Sequence, residues 1–81
     1  MSPKQITVSC GAKHALMNVA SALYEPGDEV IIPAPYWVSY PEQVRLMGAT
    51  PVIARTTADQ NFLLSPEELS RAVTAKTKAL I

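Results

Sequence analysis

The sequence lacks any run of like charge, has no long apolar stretch and carries a single cysteine, and each shortage removes a class of function. Seven basic side chains balance seven acidic ones, so nothing selects a nucleic acid or an anionic membrane. The apolar runs are far too short to span a bilayer. Cys10 has no second cysteine to pair with, and Met1-Ser2-Pro3-Lys4-Gln5 contains no apolar signal core. These features fit a soluble, cytoplasmic protein whose partner is a small molecule. Glycine is scarce as well: Gly11, Gly27 and Gly48 cannot compose a dinucleotide or P-loop fingerprint. Hydrophobic residues nevertheless reach 48% against 17% charged, too apolar for a disordered chain. Eighty-one residues make one domain at most, with a thin core.

Ile6-Thr7-Val8-Ser9-Cys10 is rich in β-branched residues and stops at Gly11, which predicts a short buried strand. From Lys13 to Tyr24, Leu16, Val19, Ala20 and Leu23 fall at i, i+3, i+4 and i+7, the stripe of a helix packed on one face. Glu25-Pro26-Gly27-Asp28 ends that helix, and Glu29-Val30-Ile31-Ile32 reads as a second buried strand. Pro33 and Pro35 should interrupt regular structure. Val38 to Met47 follows as a helix that tolerates Pro41 near its start and ends at Gly48. Thr50 to Ala54 is a third strand with its proline at the beginning, and Thr56 to Asn61 is a polar connection. Ser65-Pro66-Glu67-Glu68 announces the next helix by a reciprocal capping box, with Leu69, Ala72 and Val73 as its apolar face. Lys78-Ala79-Leu80-Ile81 begins a fourth strand. Alternating strands and helices predict an α/β three-layer sandwich with a mainly parallel sheet, incomplete within these residues because both faces cannot be covered.

Gly11-Ala12-Lys13 sits where a strand meets a helix, so the unpaired first amides and the positive end of the helix dipole favour an anion there. A small-residue turn of this kind is also a plain connection, and the residues alone leave both readings open. Tyr36-Trp37 follows the second strand, at the sheet end where open parallel sheets gather their ligands. The indole offers a flat face for an aromatic ligand, and equally an anchor for a core or interface. Cys10 reads as buried and inert, and one cysteine with His14 cannot complete a zinc site. His14 has no partner acid at a useful spacing, which favours a surface or capping role over that of a general base. Lys13, exposed in a first helical turn, reads as solvated rather than as a Schiff-base lysine. Arg45, Arg55 and Arg71 read as solvated, and no catalytic pair is visible.

Four motifs, in order and spacing, resemble the pyridoxal-phosphate-dependent aminotransferases of the aspartate aminotransferase family. They are Gly11-Ala12-Lys13-His14-Ala15-Leu16, Glu25-Pro26-Gly27-Asp28-Glu29-Val30, Pro35-Tyr36-Trp37-Val38-Ser39-Tyr40-Pro41 and Thr74-Ala75-Lys76-Thr77-Lys78-Ala79-Leu80-Ile81. The resemblance implies that residues 1–81 are part of the large, cofactor-binding domain of a homodimeric enzyme. It implies that Gly11, Ala12 and Lys13 hold the phosphate of pyridoxal 5'-phosphate, and that Trp37 stacks on the pyridine ring and helps bind the substrate carboxylate. The Pro-Tyr-Trp loop resembles the aspartate-using branch, which exchanges an amino group with a 2-oxo acid such as 2-oxoglutarate. The family's Schiff-base lysine, its pyridinium-pairing aspartate and its carboxylate-binding arginine fall beyond Ile81, so the resemblance implies that this chain alone does not transaminate. A cofactor-free α/β binding module, or lyase or decarboxylase chemistry on the same cofactor, remain the alternatives, since fold does not fix reaction type.

Overall fold

The computed structural model describes residues 2–81, leaving Met1 outside. After a short 3₁₀ turn at Pro3–Gln5 come α1 (Ala12–Leu23), β1 (Glu29–Ala34), α2 (Ser39–Leu46), β2 (Thr50–Arg55), a second 3₁₀ turn at Ala58–Gln60, α3 (Pro66–Ala72) and β3 (Thr77–Leu80). The sheet has three strands in the order β2-β1-β3, all parallel. Among the described residues no helix is long and apolar enough to cross a membrane.

β1 is central because it is the most apolar segment, and Val30, Ile31 and Ile32 are fully buried. Neighbouring residues of a parallel register face the same way, so Val30 and Ile32 share a face with Ala79, while Ile31 shares the other with Val52. On the first face Val30 and Ile32 pack with Val44 and Ala49, flanked by Tyr24 and Tyr40. β2 and β3 lie on opposite sides of β1, so two right-handed crossovers place α2 and α3 on opposite faces. The burial of Ile31 and Ala54 on the second face, with α3 packed on β2, agrees with that arrangement. Both faces are therefore covered at β1, which is more than the sequence leads one to expect. The outer strands are not, and Ile53 and Leu80 stay exposed.

Two expectations need correcting. Ile6 to Cys10 forms no strand: it pairs with no strand of the described residues, and Val8 is 92% exposed. β propensity supplies extended backbone, but a strand needs a partner for its amides. The sheet consequently has three strands rather than four. Pro33 does not interrupt β1, which continues to Ala34. The amides of Thr50 and Thr56 bond to Asp28 and Ala34, so the even residues of β1 serve β2 and the odd ones face β3. Pro33 thus turns its missing N–H to the β3 side, away from β2, whose pairing with β1 runs on through Pro33 and Ala54. Pro51 by the same alternation faces the open edge of β2.

The helix ends follow local rules. Gly48, at φ +80°, closes α2: its amide bonds to the Arg45 carbonyl at 2.9 Å and that of Ala49 to the Val44 carbonyl at 3.2 Å. Ser65 caps α3 by accepting from the Glu68 amide at 3.2 Å, but only this half of the expected box forms. The Glu68 carboxylate instead takes Arg71 at 2.7 Å, a charge pair its own helix supplies. The α1 stripe is also only partly used, since Ala20 is buried while Val19 and Leu23 stay half exposed.

Candidate functional site

α1 of about 18 Å and β1 of about 20 Å are joined by a tight turn, so they run back antiparallel and the start of α1 returns to the carboxyl end of β1. The loop from Pro35 to Val38 leaves β1 at that same end and leads into α2. Chain geometry alone thus brings Gly11-Ala12-Lys13 near Tyr36-Trp37. The structure completes the approach: Lys13 Nζ lies 4.6 Å from the centroid of the Trp37 ring, a cation–π contact.

Gly11 is the N-cap of α1 at φ 86° and ψ 174°, backbone that only glycine adopts readily. No side chain caps α1 and its first turn holds no acidic residue, so nothing neutralises the positive end of the helix. The turn before it is braced twice. Ser9 Oγ donates to the Gly11 carbonyl at 3.1 Å, and the Cys10 amide donates to His14 Nδ1 at 2.9 Å. His14 is therefore an exposed side chain that braces the loop ahead of the helix and leaves the first amides of α1 free. Cys10, expected to be buried, is exposed, because the strand that was to bury it has no partner.

Trp37 keeps about half its surface open at 49% exposure. Its ring meets that of Tyr40 edge-on at 6.1 Å, and its carbonyl accepts the Tyr40 amide at 3.1 Å. Gln43 Nε2 donates to the Lys13 carbonyl at 3.0 Å and ties α2 to the first turn of α1. Sequence reasoning missed Gln43, because a polar residue on an amphipathic helix carries no sign of a partner thirty residues away. It also missed the bond between His14 and Cys10, although a polar side chain three residues into a helix is well placed to reach back to an amide ahead of it.

The donor set consists of backbone amides at a helix start, one ammonium and one flat indole. It fits a planar aromatic group carrying an anionic tail, which is the form of pyridoxal phosphate. Arg45 pairs with Glu42 at 2.9 Å and Arg71 with Glu68, both on solvated surfaces, and Arg55 is exposed. The described residues include no cluster of three metal-ligating side chains. The Tyr24 phenol, just past the far end of α1 from the site, is pushed up by burial against the core.

The sequence model of the family described as "Aminotransferase class I and II" matches residues 1–81. An aspartate aminotransferase of Bacillus sp. (strain YM-2) is 52% identical over 79 residues, covering 98% of this chain and 20% of that protein. An aspartate/prephenate aminotransferase of Thermus thermophilus is 46% identical over 81 residues, covering 100% of this chain and 21% of that protein. Among solved structures, an aspartate aminotransferase of Thermotoga maritima superposes with a TM-score of 0.93 at 46% identity, covering 99% of this chain and 21% of the other. The chain thus spans about one fifth of the length of the relatives it matches.

Proposed function

The chain belongs to the class I and II aminotransferases, and on that footing we propose that its parent protein exchanges an amino group between aspartate, or a similar amino acid, and a 2-oxo acid such as 2-oxoglutarate. The observation that carries this reading is the uncapped start of α1 held beside Trp37, with Lys13 Nζ 4.6 Å from the indole. In the proposal residues 1–81 form part of the large domain of a cytoplasmic homodimer. The free, exposed Cys10 is in keeping with a reducing compartment.

Pyridoxal phosphate, when bound, supplies the electron sink that lets a proton leave the substrate α-carbon. The residues of this chain bind and orient. The amides of Ala12 and Lys13 donate to the phosphate, with Gly11 allowing the turn that aims them. Trp37 covers one face of the ring, excludes water there and lends its indole N–H to a substrate carboxylate. None of them moves the proton. Lys13 is occupied by Trp37 and the solvent, so this chain alone is inactive in the proposal.

Parent protein supplied with cofactor, aspartate and 2-oxoglutarate should form glutamate, whereas the 81-residue chain should form none above blank. A parent inert towards aspartate and related amino acids would sink the reading. Turnover by the isolated chain that a Lys13→Ala change abolishes would reassign the chemistry to Lys13.

A further inference from the structure

Three contacts tie the start of α1 to Trp37 and α2 at the carboxyl end of β1. Lys13 Nζ lies against the Trp37 ring, and Trp37 meets the edge of Tyr40. Tyr40 and Gln43 are three residues apart on α2, neighbours along the helix surface. Gln43 Nε2 returns to Lys13 through the carbonyl at 3.0 Å. Among the described residues this is the only side-chain hydrogen bond joining α1 to α2. Its two ends matter: one is the residue whose amide opens the anion-binding turn, and the other is one helical turn from the residue that anchors Trp37. The bond therefore sets the span between the amides of Ala12 and Lys13 and the face of the indole.

We propose that Gln43 is a positioning residue, which holds the phosphate-binding turn at the distance from Trp37 that a ring with a phosphate tail requires. The inference rests on Gly11, Ala12, Lys13 and Trp37 being the cofactor site. A ligand that touches both ends of the span is sensitive to Gln43, whereas one that touches only the amides is not. Mere loosening of α1 would weaken both kinds of ligand together.

The test uses full-length parent in its apo form, titrated calorimetrically with two probes. Pyridoxamine phosphate carries ring and tail but no aldehyde to react with surface lysines, and inorganic phosphate reaches the amide end alone. Gln43→Met, of similar length but without a donor, should bind pyridoxamine phosphate about threefold to tenfold more weakly, the range of one lost hydrogen bond, and inorganic phosphate as before. Gln43→Lys, which restores a donor, should recover most of the loss. Gln43→Glu offers the carbonyl only an acceptor, and serves in place of the methionine variant if that loses its helical circular dichroism. Unchanged binding of pyridoxamine phosphate, or equal weakening of both probes, overturns the positioning role and leaves the site reading intact. Failure of the unsubstituted parent to bind pyridoxamine phosphate overturns both.

Discussion

At Gly11 the backbone stands at φ 86° and ψ 174°, and no neighbouring atom lies within 4 Å of where a Cβ would sit. The demand for glycine is therefore conformational rather than steric. Gly11→Ala should cost about 1–3 kcal/mol in urea unfolding, because side-chain-bearing residues hardly populate that region. The same change should weaken inorganic phosphate binding, since the relaxed turn no longer aims the amides of Ala12 and Lys13 together. Tyr24 offers a second test at this scale. Burial favours its neutral phenol, so the folded chain holds that proton to higher pH than the unfolded chain, whose value is the ordinary 10.0. Its contribution to stability is full below that value and declines as pH rises through it and towards the higher folded value. Denaturation at a series of alkaline pH values should show this decline, and Tyr24→Phe should remove it.

Among the elements, α3 separates two roles, those of Ser65 and Glu68, that the sequence pattern joins in one capping box. Ser65→Ala should destabilise by about 1 kcal/mol, the usual worth of a capping oxygen. Glu68→Gln should cost less than about 0.5 kcal/mol, because its carboxylate pairs with an exposed Arg71 instead of completing the cap. Equal losses for the two variants in thermal melts would indicate that the full box forms in solution. α2 is closed more firmly. Its final glycine has φ +80°, and a Cβ there would meet Pro26 Cγ at 3.2 Å, so the turn after α1 and the end of α2 pack on each other. The position of α2, and with it Trp37, is thereby coupled to the Glu25-Pro26-Gly27-Asp28 turn, which is one of the four family motifs.

For the whole molecule the limiting quantity is the core. On its better-packed face it consists of Val30, Ile32, Val44 and Ala49, while Ile53, Leu80 and Val8 remain exposed. A domain of ordinary stability has about 0.05–0.15 kcal/mol per residue, and a core this thin belongs at the lower end. Ile32→Ala removes about 2–5 kcal/mol and should leave the isolated chain largely unfolded by far-ultraviolet circular dichroism at room temperature. The unsubstituted chain should melt broadly; a sharp cooperative transition of the monomer would contradict this account of its core.

Most of the architecture was legible along the chain, since each helix and each strand of the sheet is written in a short-range pattern. Apolar spacing marks α1, Ser65-Pro66 marks the start of α3, Gly48 marks the end of α2, and Val30 to Ile32 mark the central strand. The family, too, was legible, because its motifs are contiguous. What the pattern cannot carry is whether a segment finds its partner. Ile6 to Cys10 has the composition of a strand and stays unpaired, and Pro33 looks like an interruption yet lies inside β1 with its missing donor turned away from β2. Those outcomes depend on neighbours distant in sequence, as does the bond from Gln43 to Lys13 across 30 residues. The sequence by itself determined that Gly11-Ala12-Lys13 opens a helix and that Trp37 follows a strand, because local backbone preferences decide both. Only the tertiary structure placed Lys13 against Trp37 and bonded Gln43 of α2 to α1, because the packing of α1 on α2 is a matter of shape in three dimensions.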